Sequence, residues 1–286
     1  MTCKCTIEKQ CAPCYDKDRR LKIKNGTWIF SKNECSCSED NNPCRHCYDK
    51  KRRHSIKNGT WNFNKKPPEE LCEIQKQVLI GGLLGDLNLS NLSKGKNSCI
   101  KIQRAFKDKG YLEYQHSVFE NFCESPIKYL NRFDKITKIT RHYVRMHTQC
   151  AKVFTDYYNR WYPKNKKIVP KDFQLTPLIC AIWFCDDGTV SQYGVYKDKI
   201  RISLYTENFI KSDVEYLISL LSKEMNGNFR LHTIRYKNKS DKDFYPREYY
   251  RITMYSNTAI NFVKYIDPQM PKSMSRKSNL WQGLLV

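Results

Sequence analysis

The stretch LICAIWFCDDG (Leu178–Gly188) drives an unbroken apolar run straight into two aspartates and a glycine. The run has the length and spacing of a buried helix, and its carboxylates stand where burial stops. A second stretch, LIGGLLGDL (Leu79–Leu87), has the same design about 100 residues earlier. Each copy also carries small residues four apart, Gly81 with Gly85 and Ala181 with Cys185. Small residues at that spacing let two helix backbones approach closely. Packed in parallel, the two helices would end side by side and bring Asp86 and Asp187 together. Two carboxylates held together are costly unless a cation lies between them. Mg²⁺, or Mn²⁺ in its place, suits such a site, because it takes oxygen ligands and keeps several waters.

The surroundings of the two stretches repeat as well. PEELCEIQKQVLIGGLLGDLNLS is expected to be a helix opened by acidic residues, as the helix dipole favours. SCIKIQRAF and GYLEYQHSVF then alternate with period two and are expected to be strands. HTQCAKVFTDYYNRWY returns to helical spacing, and PKNKKIVPKDF is a basic, proline-punctuated connector. The second copy has strand candidates at 199–205, 230–236 and 249–255, with the helix SDVEYLISLLSKEM between the first two. The body is therefore two similar halves, 67–172 and 173–286.

Ahead of them lies a different texture. CYDKDRRLKIKNGTWIF (Cys14–Phe30) recurs as CYDKKRRHSIKNGTWNF (Cys47–Phe63), with 13 of 17 positions identical. Each copy completes a C-x-C…C-x-x-C set: Cys3, Cys5, Cys11 and Cys14 in residues 1–32, and Cys35, Cys37, Cys44 and Cys47 in residues 33–66. Four thiolates can close a tetrahedral zinc shell, and a segment this short needs the folding energy of a metal. Two Zn²⁺ are expected. A redox C-x-x-C explains neither the C-x-C half nor the duplication. Arg19, Arg20 and Lys24, with Arg52, Arg53 and Lys57 in the second copy, are candidate phosphate contacts. Trp28 and Trp61 are expected to pack on each small core rather than stack on bases. The modules resemble the short treble-clef-like fingers of some nucleases. The other six cysteines, Cys72, Cys99, Cys123, Cys150, Cys180 and Cys185, are expected to be core thiols.

Composition narrows the partner. The chain has 286 residues, 40% of them hydrophobic, and a formal net charge of +22. That much like charge calls for a polyanion, with nucleic acid ahead of a membrane surface. No apolar run approaches the roughly 20 residues of a spanning helix. The opening MTCKCTIEKQ has no apolar signal region, so an intracellular, non-secreted protein is expected, of an organelle or of a viral or nuclear host.

The paired motifs resemble the LAGLIDADG homing endonucleases in their single-chain, two-motif form. In LTPLICAIWFCDDG, DVEYLISLL and IDPQMPKSM the chain is similar to the mitochondrial omega-intron group. The resemblance spans residue 69 to the C-terminus. It implies an α+β fold of two pseudo-symmetric αββαββα halves, whose antiparallel sheets straddle double-stranded DNA and read a long asymmetric site. It implies a monomer that cuts both strands and leaves short 3′ overhangs, with Asp86 and Asp187 holding the metal and Asp186 a neighbour. It places basic residues near the scissile phosphates, Lys167 at the first position and Lys272, one residue out of register, at the second. Leu87 departs from the motif's glycine, and Trp183 and Phe184 are bulkier than its average.

On such sheets the polar strand faces are the groove readers: Lys101, Gln103, Glu113 and Gln115 in the first half, and Arg201, Ser203, Tyr205, Arg230, His232, Arg251 and Thr253 in the second. Lys164, Lys166 and Lys171 on the connector are candidate phosphate contacts. Two other functions fit the same charge: an RNA maturase acting on its own intron, and a DNA-binding regulator derived from a dead nuclease. The regulator is disfavoured because both motif aspartates are kept.

Overall fold

Helix α1 (Glu73–Leu84) starts where the Gln75 side chain turns back to accept from the Cys72 amide at 3.1 Å, with Glu73 in its first turn. Its counterpart α4 (Pro177–Asp187) is set by Thr176, whose hydroxyl accepts from the Ile179 amide at 3.2 Å, and by Pro177 in the first turn. The computed structural model describes residues 66–91, 97–194, 199–236 and 247–282. The cysteine modules, with Arg19, Arg20, Lys24, Arg52, Arg53, Lys57 and the two tryptophans, lie outside the described residues. Residues 65–286 form one compact unit.

After α1 come β1 (Asn88–Asn91), β2 (Ser98–Ala105), α2 (Lys109–Val118), β3 (Lys128–Phe133), β4 (Thr140–His147) and α3 (Lys152–Trp161). After α4 come β5 (Gly188–Tyr193), β6 (Lys199–Tyr205), α5 (Lys211–Met225), β7 (Arg230–Tyr236), β8 (Arg247–Tyr255) and α6 (Ser256–Ile266), followed by α7 (Ser275–Gln282). Each half is thus αββαββα. The sheets are antiparallel, ordered β1-β2-β4-β3 and β5-β6-β8-β7, so the second half repeats the topology of the first.

One apolar core runs through both halves. Val78, Leu79, Leu83 and Leu84 of α1 are buried with Ile179, Cys180, Ile182, Trp183 and Phe184 of α4. The bulky Phe184 lies against Phe262 of α6 and Trp281 of α7, at ring-centroid distances of 6.2 and 5.2 Å, so the second motif's larger residues fill the core of their own half.

One element is corrected. GYLEYQHSVF folds as helix α2, not as a strand. Its buried residues Tyr111, Leu112 and Gln115 stand at helical spacing on one face, where a strand with Leu112 and Tyr114 inward would have exposed Tyr111 and Gln115. The strands that pair in its place, β3 and β4, carry little apolar alternation. Five of the six residues of β3 are exposed, so hydrophobic periodicity could not mark it. The six cysteines outside the modules are free thiols, and Cys99, Cys180 and Cys185 are buried as expected. Cys72, at the exposed start of α1, is not a core thiol.

Candidate active site and nucleic-acid faces

The two motif helices touch through glycine. A methyl group at Gly81 would lie 2.6 Å from the Ile179 carbonyl and 2.8 Å from Ile182, and one at Gly85 would lie 2.4 Å from the Asp186 Cβ. Those contacts progress in the same direction along both helices, so the helices run parallel and their last turns meet. The close approach uses small residues on α1 only. Ala181 and Cys185 do not face the glycines; Ile182 and Asp186 do, and the Cys185 sulfur lies 3.6 Å from that of Met270. The expected symmetric small-on-small contact is in fact a fit of larger side chains into two glycine gaps.

That fit buries the Asp186 side chain completely. Its carboxylate accepts from Arg104 Nη2 at 2.6 Å and, more weakly, from the Asp86 amide at 3.3 Å. Asp186, expected as a neighbour of the metal aspartates, is thus tied to both Arg104 and Asp86. Asp86 follows the helix end and is more than half exposed, with one carboxylate oxygen 3.5 Å from Arg104 Nη1. Asp187 is the last residue of α4. Burial, then the charges of Asp86 and Asp186, push its carboxyl up to about 7, while Lys167 and Lys277 pull the other way. Burial also raises Asp186, against the pull of Arg104. Arg104 itself stays cationic, since Asp186, Tyr111 and Asp86 outweigh the cost of its burial.

Two lysines complete the centre. Lys167 donates to the Gly85 carbonyl at 3.2 Å, and burial lowers its pKa to about 8 against the pull of the three aspartates. Its connector is firmly anchored: the Ile168 amide bonds to Trp161 O at 2.8 Å and the Val169 amide to Asp213 at 3.1 Å. Lys164 and Asn165, just before it, adopt left-handed φ of 54° and 60°, a strained turn of the kind found at functional sites. At the end of α4 the matching place belongs to Lys277 of α7, which the sequence reading passed over. Its ammonium donates to the carbonyls of Phe184, Asp186 and Gly188 at 3.0, 3.2 and 2.9 Å. Burial lowers its pKa. Lys272 stands on an exposed turn between buried Pro271 and Met274. The available signal was the three-residue spacing from the buried Met274, just before α7, to Lys277 in its first turn, which places a lysine beside a core anchor.

The expected groove readers fall on coherent faces. Lys101 and Gln103 pair with His147 and Arg145, and Arg145 pairs in turn with Lys128 across the sheet. Arg145 donates to Gln103 at 3.0 Å through Nε. Tyr143, Arg141 and Arg132 belong to the same face and were missed with their strands. In the second sheet Arg201, Ser203, Tyr205, Arg230, His232, Arg251 and Thr253 share one face. Arg251 lies 4.1 Å over the Tyr205 ring and pairs with Glu207, and Arg230 lies 5.6 Å over that of Tyr255. Thr253 is nearly buried between its neighbours. Gln115 is corrected: it sits on α2, fully buried, with its oxygen accepting from Arg104 Nε at 2.9 Å, and cannot reach a groove. Glu113, on the same helix, pairs with Lys109 at 3.4 Å. Lys164 and Lys166 are exposed, whereas Lys171 pairs with Asp213 at 3.2 Å.

Among the described residues no group of three or more His, Cys, Asp or Glu is arranged to hold a metal by itself. The donor set at the helix ends still fits a Mg²⁺-like ion. Such an ion takes one or two carboxylates and completes its octahedron with water and phosphate oxygens.

Two αββαββα halves, a glycine-packed pair of helices, and acids and lysines gathered at their ends define a duplicated α+β protein with basic sheet faces. The LAGLIDADG DNA endonuclease family matches residues 76–262, and the chain belongs to that family. Cytochrome b mRNA maturase bI2 of Saccharomyces cerevisiae is 30% identical over 211 residues, 70% of this chain. The match spans 46% of that relative, so this chain corresponds to about half of its length. Probable intron-encoded endonuclease 1 of Wickerhamomyces canadensis is 30% identical over 167 residues, 57% of this chain and 71% of its own. The solved structure of the homing endonuclease I-WcaI bound to its DNA recognition sequence shares the fold, with a TM-score of 0.60 at 23% identity over 87% of this chain and 98% of that one. No described helix is long and apolar enough to cross a membrane.

Proposed function

We propose that this protein is a site-specific, Mg²⁺-dependent endonuclease that hydrolyses both strands of a long, asymmetric DNA site and leaves short 3′ overhangs. The observation that carries the reading is the convergence of Asp86, Asp187, Lys167 and Lys277 at the paired helix ends, within a fold that also offers two basic sheet faces. Asp86 and Asp187 hold the ion, and their mutual repulsion gives them reason to. When bound, that ion activates water and stabilises the leaving oxygen. Lys167 and Lys277 sit where charge builds on the phosphate. With a pKa near 8, Lys167 can also pass a proton to a leaving oxygen at neutral pH. The sheet faces hold the duplex by phosphate contacts and read base edges. The cysteine modules, each with one Zn²⁺, lengthen the footprint, and the protein acts as a monomer inside the cell.

The test is cleavage of the cognate duplex in Mg²⁺. The double change Asp86→Asn and Asp187→Asn should abolish cutting while leaving DNA binding intact; unchanged cutting sinks the mechanism.

A second reading, an RNA maturase that helps its own intron splice, is favoured by the S. cerevisiae relative, which is a cytochrome b mRNA maturase. Splicing that survives loss of both aspartates supports it.

A further inference from the structure

We infer that Arg104 is a positioning residue for Asp86, held by the buried Asp186, and that it makes the two halves of the active centre inequivalent. This deepens the nuclease reading and rests on it.

Arg104 lies on the core side of β2, with a side chain only 7% exposed. Every arm of its guanidinium is engaged. Nη2 bonds Asp186 at 2.6 Å, Nε bonds the buried Gln115 at 2.9 Å, and Nη1 faces Asp86 at 3.5 Å. The guanidinium carbon also stands 4.3 Å from the centre of the Tyr111 ring. A fork fixed at its other points presents one N–H edge to Asp86 and limits where that exposed carboxylate can swing. Gly85 is what admits Asp186 to the anchor position, because any side chain there would collide with the Asp186 Cβ.

The second half has no such device. The pairs of β2 with β4 start at Lys101↔His147, and Arg104↔Val144 is the fourth. The pairs of β6 with β8 start at Arg201↔Tyr255, and Leu204↔Ile252 is the fourth. Arg104 and Leu204 therefore occupy the same place in the two sheets, and Leu204 is wholly buried. Asp187 feels the charges of Lys167 and Lys277, and among the described residues no guanidinium stands within ion-pair distance of it. One carboxylate is steered by a fixed fork, and the other is not.

The test removes the clamp as a unit. Arg104→Leu alone strands a buried carboxylate and risks the fold, so the working variant is Arg104→Leu with Asp186→Ala. It replaces a buried pair by apolar groups, the leucine being the residue that the second half already uses, and such replacements often keep stability. Thermal melts establish that it folds. Cleavage is then followed on a cognate duplex with each strand labelled separately. One strand should slow by about tenfold or more, and the other by less than about threefold, because a misplaced carboxylate costs the scission it serves. In parallel, Mn²⁺ titration of the protein–DNA complex by EPR should show one class of site weakened and the other kept. A general loss of structure would lower both strands and both classes together, and equal slowing, or none, overturns the inference. If wild-type protein cuts nothing, the nuclease reading fails, and the Mn²⁺ titration alone decides whether Arg104 positions Asp86.

Discussion

Replacing Asp187 by Asn should make the metal-free protein more stable, although it removes a metal ligand. The folded environment raises this carboxyl from its ordinary 3.8 to about 7, through burial first and the two neighbouring aspartates second. A raised acid pKa means that the folded state binds the proton more tightly than the unfolded chain does. Stability is therefore lost as pH rises from about 3.8 through about 7, and the loss is complete above that. A shift of about three pKa units sets a ceiling of about 4 kcal/mol. Water reaches part of the site and screens it, so about 1–2 kcal/mol is the expected net gain for Asp187→Asn at pH 8. In a domain of this size that is roughly 2–8 °C in Tm. Melts in EDTA at pH 8 and pH 4.5 check it. The gap should be largest at pH 8 and shrink to about a quarter at pH 4.5. Added Mg²⁺ should raise the wild-type Tm and leave the variant where it was. A variant that melts at or below wild type at pH 8 without metal would refute the picture of carboxylates forced together.

The helix contact gives a second prediction: Gly85→Ala, whose methyl would lie 2.4 Å from the Asp186 Cβ, should cost about 3 kcal/mol or more in denaturant unfolding, whereas Ala181→Gly, away from the contact, should cost about 1 kcal/mol through helix propensity. Lys277→Met should lower cleavage about 100-fold or more in single-turnover assays, and Lys272→Met, on the exposed turn, by less than about threefold. Arg145→Ala should weaken binding and reduce the slope of log K against log salt by about one if Arg145 contacts a phosphate, measured by fluorescence anisotropy between 50 and 200 mM salt. Metal analysis of full-length protein purified without chelator should find two zinc ions per chain, and a value near zero rejects the module reading.

The motif helices were legible in the sequence because a long apolar run ending in carboxylates has few other uses. α4 begins and ends within a residue or two of the sequence reading, and β6, β7 and α5 match it almost residue for residue, whereas α1 stops at Leu84 and the stretch read as its end folds into β1. The exposed polar faces of β2 and β6 were legible too, since they alternate against a buried Ile-Ile pair. β1, β3 and β5 were not. Five of the six residues of β3 are exposed and leave no apolar period, while β1 has a single apolar residue, Leu89, and β5 only Val190 and Tyr193. Nor was the fate of Gln115 visible, because its neighbours satisfy a two-residue alternation until a helix claims every fourth one.

The sequence by itself determined that the chain is duplicated, that each copy ends a buried helix in an aspartate, and that the whole is strongly basic. These are properties of local pattern and charge, and they survive any packing. Only the tertiary structure decided which groups meet at the helix ends. The Asp186 side chain is buried in the gap at Gly85, in the other half of the sequence, Arg104 reaches it from a strand, and Lys277 arrives from the C-terminal helix. Such contacts depend on how two surfaces fit, and no spacing along a single chain encodes that fit directly.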